Sequence, residues 1–194
     1  LHHAYECTCG FLCQIYRGST IAYCEGLRYI MKNMKEVHPT MILCVPLLIE
    51  TMYHKIWANI RKNGMEKMVK KALAASNASR KIGIDLRKKL FSEIHETFGG
   101  KLRMMITGGA AVDPDILKGL RDFGILAVQG YGLTECAPLA AVNRDKFYCD
   151  SSAGLATPNA TLEIVDAAED GTGDIRFKGE NIMLGYYKAP ELTA

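Results

Sequence analysis

The spacing of hydrophobic and polar positions changes several times along this chain, and each change marks an element. Phe11 to Tyr16 is an apolar stretch of helical character closed by Gly18, and Ser19 to Cys24 is rich in β-favouring residues and predicts a strand. Leu27, Ile30, Met31 and Met34 then recur at helical spacing, with Lys32, Lys35 and Glu36 on the opposite face, and Pro39 ends that helix. The methionines of this stripe read as core. Met41 to Val45 is continuously apolar over the length of one strand, the pattern of a strand covered on both faces, and Pro46 closes it. From Leu47 to about Gly99 the pattern predicts helix almost throughout, broken near Gly64, near Asn77 to Ser79 and near Gly83. Trp57, Leu73, Leu86, Leu90, Phe91 and Ile94 would face a core there, and His95 reads as a structural or surface residue.

Two more buried-type strands follow, Leu102 to Ile106 and Ile125 to Val128. Between them Asp113 as cap and Pro114 in the first turn open a helix through Arg121, which Gly124 ends. After Asn143 the chain turns to short strands, Ser152 to Gly154, Thr161 to Val165 and Asp174 to Lys178, with Asp166 to Gly173 an acidic, glycine-containing hairpin. The fold class predicted is α/β: a parallel-type sheet with flanking helices over residues 1–142, then part of an antiparallel β subdomain over 143–194.

At 194 residues, 48% hydrophobic and 23% charged, the composition is that of a globular protein and excludes disorder. The chain opens on Leu1 and stops at Leu192-Thr193-Ala194, so a piece of a longer protein is expected. No run of about 18 apolar residues and no leader pattern occurs, and the seven cysteines sit mostly in apolar or mixed runs, which places the protein in the cytoplasm with reduced thiols. Cys7, Cys9 and Cys13 cluster, but without the paired spacing of a metal site. The net charge of +3 is unevenly spread: twelve Lys or Arg against four acids lie from Arg61 to Arg103, most of them within the basic helical segment at about 47–99. A solvated helix face is the plain reading; attraction to an anionic membrane surface or a polyphosphate is the other. No stacking aromatics interleave the cations, so nucleic acid is not expected.

The candidate chemistry centres on Gln129-Gly130-Tyr131-Gly132-Leu133-Thr134-Glu135, at what the pattern makes the carboxyl end of a strand, where open α/β sheets bind ligands. The glycines permit close backbone approach, Tyr131 offers a flat face, Thr134 a hydroxyl for a phosphate, and Glu135 a hard oxygen for a divalent cation. Composition alone also allows a plain turn with a capping Thr and a solvated Glu. Thr107-Gly108-Gly109-Ala110-Ala111 is a second glycine-rich junction after a strand, either a tight turn or room for a ligand.

The seven-residue stretch closely resembles the Tyr-Gly-x-Thr-Glu motif of the adenylate-forming enzymes, the superfamily of acyl-CoA synthetases, luciferases and peptide-synthetase adenylation domains. The resemblance implies that Tyr131 packs on adenine, that Thr134 contacts the phosphate of ATP or acyl-AMP, and that Glu135 helps hold Mg2+. Gln129, Gly130 and Gly132 fall in the same AMP-binding stretch. Thr107 to Ala111 resembles the family's Gly-Gly-Ala loop, which makes Gly109, Ala110 and Ala111 candidates at the border of the adenine pocket and the acyl channel. Leu1-His2-His3-Ala4-Tyr5-Glu6 resembles a segment of the long-chain acyl-CoA synthetases and implies that His3 lines the pocket for the substrate carboxylate; a helix-entry histidine is the alternative. Cys7 stands near where some relatives place a gating aromatic. The stretch from Tyr53 to Phe91 looks like a segment specific to the long-chain branch. Gly173 to Tyr187 is similar to a scaffold motif, and Asn159-Ala160 departs from the usual Pro-Gly before it.

The resemblance implies a fragment of the N-terminal domain of a long-chain fatty acid CoA ligase, working with ATP, Mg2+, coenzyme A and a fatty acid. The phosphate loop, the ribose-binding Asp and the catalytic Lys of that family lie outside this sequence, so the fragment alone is not expected to be active. Self-association of the fragment through uncovered strand edges is expected. An adenylating enzyme for another carboxylate, or a non-catalytic nucleotide-binding module, stays open.

Overall fold

The structure, a computed structural model, describes residues 2–193; Leu1, which begins the histidine segment, and Ala194 lie outside the described residues. In chain order, a π-helical turn at Glu6–Leu12 runs into α1 (Cys13–Tyr16), and a 3-10 turn at Leu27–Tyr29 into α2 (Ile30–Val37). Then come β1 (Met41–Cys44), α3 (Pro46–Lys62), α4 (Glu66–Lys81), α5 (Arg87–Leu90), α6 (Ser92–Thr97), β2 (Met104–Thr107), α7 (Pro114–Asp122) and β3 (Leu126–Tyr131). The last strands are β4 (Ala141–Val142), β5 (Leu155–Ala156), β6 (Ala160–Val165) and β7 (Asp174–Gly179). Strand pairing runs β1-β2-β3-β4-β5, with β6-β7 as a separate antiparallel hairpin. The chain forms two compact units, residues 22–129 and residues 1–21 with 130–194, so the division falls inside β3.

In the first unit β1, β2 and β3 are parallel, with Met41, Met104 and Leu126 at one end of the register and Cys44, Thr107 and Gln129 at the other. Parallel neighbours need crossovers, and α3 to α6 supply one and α7 the next. Pro46 sits at the first turn of α3, where its missing N–H costs nothing. Ile49, Met52, Ile56 and Ile60 follow at helical spacing and are all buried, as are Ile116, Leu117 and Leu120 of α7. Each such side chain contributes roughly 1.5–3 kcal/mol on burial. Phe123 joins the layers: its ring lies 5.1 Å from Phe91, edge to face, and 5.8 Å from Trp57.

In the second unit Gly130 and Tyr131 pair with Val142 and Ala141, and β4 pairs in turn with β5. The hairpin aligns Ala160 with Gly179 and Val165 with Asp174. Its turn at residues 166–173 is held by Ala168 N–H donating to Thr172 O at 2.7 Å.

Several expectations are corrected. Ser19 to Cys24 is not a strand, because β propensity measures fit to a pleated neighbour and this stretch pairs with none among the described residues. Asn77 to Ser79 does not break α4; Ser79 Oγ donates back to Ser76 O (2.9 Å) and Asn77 Oδ1 accepts from Arg80, so these polar side chains are satisfied along the helix. Ser152 to Gly154 is a turn, and the strand begins one residue later at Leu155. Leu27, 87% exposed, lies in the 3-10 turn off the apolar stripe, and Leu86 and Leu90 are 36% and 45% exposed rather than core. Of the two readings offered for His95, structural or surface, the structure gives the first: it is buried, with Nε2 donating to Phe123 O at 2.9 Å.

Candidate functional site

The AMP-type stretch does not begin after a strand; its first three residues, Gln129, Gly130 and Tyr131, close β3. β2 pairs with β3 as far as Gln129, and the two-residue β4 pairs with Gly130 and Tyr131. Tyr131 O accepts from Ala140 N–H at 2.9 Å, so the chain doubles back at once. Gly132 lies where it does: a Cβ there would run into the carbonyl of Pro138. Leu133 is extended and leads into a 3-10 turn over Thr134–Cys136.

This turn is pinned from several directions. The Cys136 sulfur is buried, accepting from Leu133 N–H (3.4 Å) and facing Leu133 O (3.2 Å). The Asn181 amide donates to Cys136 O (2.6 Å) and Leu139 O (3.1 Å), and Met183 N–H donates to Glu135 O (2.8 Å). Above the turn, Tyr186 Oη donates to Glu135 Oε1 at 2.6 Å. That bond holds the Glu135 carboxyl below its usual value and pushes the Tyr186 phenol up, since it favours an ionised acceptor and a neutral donor. Glu135 is therefore a half-buried carboxylate fixed in direction, with Thr134 exposed beside it.

Gly109, Ala110 and Ala111 lie in the other unit, exposed after β2, and open space surrounds Gly109 at φ +92°. Gln129 stands opposite Thr107 in the β2–β3 register; it is buried, and its Oε1 accepts from Val112 N–H at 3.2 Å. Gln129 thus ties the far end of the Gly-Gly-Ala loop to β3. His3 is exposed at the N-terminal helix entry, where its Nδ1 accepts from Tyr5 N–H (3.2 Å). Cys7, Cys9 and Cys13 are free thiols; burial, with Cys13 and Glu6 nearby, pushes Cys9 up to about 11. Among the described residues no group of three or more His, Cys, Asp or Glu could hold a metal ion.

Sequence reasoning passed over Tyr186 and Asn181, the two side chains that fix Glu135 and its turn. Tyr186 stood in a stretch assigned to scaffold, and its Gly185-Tyr186 pair was the available signal.

A mixed sheet whose third strand closes on Gly130-Tyr131 and runs on into Gly132-Leu133-Thr134-Glu135, with a glycine-rich loop after the second, defines an adenylate-forming class of domain. The chain belongs to the AMP-binding enzyme family, whose pattern matches residues 1–187. It is 30% identical to long-chain-fatty-acid-CoA ligase 1 of Cavia porcellus, over all of this chain and 30% of the relative. To the protein of that name from Homo sapiens it is 28% identical, again over all of this chain and 30% of the relative. The chain thus spans about 30% of the length of these curated relatives. In three dimensions it matches a long-chain-fatty-acid-CoA ligase from Archaeoglobus fulgidus with a TM-score of 0.62 at 18% identity, over 98% of this chain and 35% of the other, which shows a shared fold.

Proposed function

We propose that this chain is the central part of an ATP-dependent ligase that converts a long-chain fatty acid to its acyl-adenylate and passes the acyl group to coenzyme A. The observation that carries the reading is the Glu135 carboxylate, held ionised by Tyr186 beside the exposed Thr134 and four residues after Tyr131. The names and identity of the curated relatives support the long-chain substrate.

In this reading a fatty carboxylate oxygen attacks the α-phosphorus of ATP in line and pyrophosphate leaves. The thiol of coenzyme A then attacks the acyl carbonyl and AMP leaves. No covalent enzyme intermediate is needed, so positioning and electrostatics do the work. Tyr131 packs on adenine, Thr134 donates to the α-phosphate, and Gly109, Ala110 and Ala111 leave room between nucleotide and acyl chain. Gln129 holds that loop in place, and His3 lines the carboxylate pocket. The residues fit Mg2+, which is content with one or two carboxylates when substrate phosphates complete its shell: Glu135 supplies the carboxylate, and no protein cage is present among the described residues. Mg2+, when bound, offsets the charge of the phosphates. The protein works in the cytoplasm, and its basic helical segment at about 47–99 gives it peripheral attachment to a membrane surface. Among the described residues no helix is long and apolar enough to cross a membrane.

The test is ATP-pyrophosphate exchange by the full-length protein across carboxylates from acetate to palmitate, then thioester formation on adding coenzyme A. Exchange should favour the long chains and vanish in Glu135→Ala. A protein that exchanges with no carboxylate, or with short or aromatic acids alone, overturns the assignment.

A further inference from the structure

We infer that the elbow joining α4 to α5, Lys81 to Leu90, is a wedge that docks the protein on an anionic lipid surface by setting Ile82 and Ile84 among the head groups. The inference rests on the reading of the basic segment as a membrane attachment and assigns that attachment to particular side chains.

The elbow reads Lys-Ile-Gly-Ile-Asp-Leu-Arg-Lys-Lys-Leu. Ile82 is 76% exposed, Ile84 50%, Leu90 45% and Leu86 36%. Single exposed apolar residues are ordinary, but four within nine positions, flanked by cations on both sides, are not what a merely solvated helix face presents. The adjoining face of α4 continues the surface: Lys67, Met68, Lys71, Ala74, Ala75 and Ala78 recur at helical spacing toward Ile82 and are all exposed. Low apolar relief bordered by lysines is the make-up of an element lying in a membrane interface.

The isoleucines are also held out rigidly. Ile82 and Ile84 N–H both donate to Ser79 O (3.1 and 3.0 Å), Gly83 N–H donates to Arg80 O (3.1 Å), and Ser79 Oγ lies 2.9 Å from Ile84 O. The turn therefore carries its own backbone partners into a region poor in water, which an irregular loop could not do. Arg87 grips Asp85 through Nε (2.9 Å) and a terminal nitrogen (2.6 Å), while its other terminal nitrogen donates to Arg121 O (2.8 Å). That clasp neutralises the elbow's one acid and anchors the elbow to the end of α7. Lys81, Lys88 and Lys89 form no ion pair among the described residues, so their charge is available to head-group phosphates and carboxylates. A soluble polyphosphate would use the lysines and leave the isoleucines without a role.

The experiment is sedimentation of the full-length protein with vesicles of phosphatidylcholine, with and without about a third phosphatidylserine. The wild type should bind the anionic vesicles preferentially and be released by salt. Ile82→Asp with Ile84→Asp should lower partitioning about tenfold or more, since it removes the inserted area and adds like charge to the surface. Ile82→Ser with Ile84→Ser gives the same direction if aspartate disturbs folding. Lys81→Gln with Lys88→Gln and Lys89→Gln should abolish the preference for phosphatidylserine. All variants should keep the wild-type melting profile and pyrophosphate exchange, because none of these positions belongs to the catalytic stretch. A wild type that binds neither vesicle overturns the membrane attachment and the wedge with it. Unchanged binding by both isoleucine variants overturns the wedge and leaves attachment through the rest of the basic segment standing.

Discussion

Tyr186 and Glu135, 51 residues apart, share a hydrogen bond of 2.6 Å in which the phenol donates to Oε1. The bond fixes the direction of the carboxylate. It also sets the pH window of the site. The folded Glu135 carboxyl is lowered, so the stability it lends is present above its unfolded value, about 4.3, and is lost as pH falls through the lower folded one. The Tyr186 phenol is raised, so its share is present below about 10 and is lost as pH rises through the folded value. The pair is thus intact throughout the neutral range. Tyr186→Phe should return the carboxyl titration of Glu135 toward its ordinary position and slow pyrophosphate release about tenfold, as loss of an orienting partner does. A carboxyl chemical shift that titrates identically in wild type and variant would show that the bond does not form in solution.

The two glycines that flank the chemistry predict different outcomes. At Gly132 an added methyl meets the backbone carbonyl of Pro138, which has no flexible end to swing aside, so Gly132→Ala should cost about 1–3 kcal/mol and displace the Thr134 turn. At Gly109 the φ of +92° disfavours any side chain, yet nothing stands in its way, so Gly109→Ala should cost only about 1 kcal/mol. Urea unfolding of both variants decides the matter. Equal shifts would mean that close approach at Gly132 is relieved by movement of the 137–139 backbone.

The parallel core was legible because β1 and β2 are continuous apolar runs, and α7 because Asp113 caps it and Pro114 starts it, with Asp113 Oδ1 accepting from Asp115 N–H at 2.9 Å. The site was legible as composition but not as geometry. Tyr131 closes a strand whose partner, Ala141–Val142, is too short to leave a period in the sequence. Tyr186 reaches Glu135 through a tertiary bond that no local pattern encodes. Leu86 and Leu90 have the spacing of core residues, and Phe91 fills the place in the core that spacing offered to all three. Apolar identity alone does not say which of several neighbours wins burial.

Gln129 and Val112 give a prediction on the other unit. Both are buried, and Gln129 Oε1 accepts the Val112 N–H that closes the Gly-Gly-Ala loop. Gln129→Leu fits the volume but strands that N–H, a loss of about 1–3 kcal/mol by denaturant unfolding. Loosening the loop should also raise the KM for ATP in the full-length enzyme. Wild-type stability in this variant would show that water or another acceptor takes over the amide.

His95 carries the pH prediction for the core. A carbonyl can only accept, so Nε2, 2.9 Å from Phe123 O, bears the proton, and Nδ1 is buried with no partner among the described residues. Protonation would place a charge and a second N–H where neither is satisfied. Burial accordingly pushes the imidazole down, with Lys88 and Arg87 adding to the effect and the Phe123 bond and Glu96 opposing it. The unfolded chain takes up a proton at about 6.5, above the folded value, so the stability tied to neutral His95 is complete above that pH and declines as pH falls below it. His95→Gln can still donate to Phe123 O but does not titrate. Denaturant midpoints followed from about pH 8 to about pH 5 should fall more steeply for wild type than for His95→Gln. Parallel curves would mean that the buried imidazole finds a proton acceptor on acidification and is no source of acid lability.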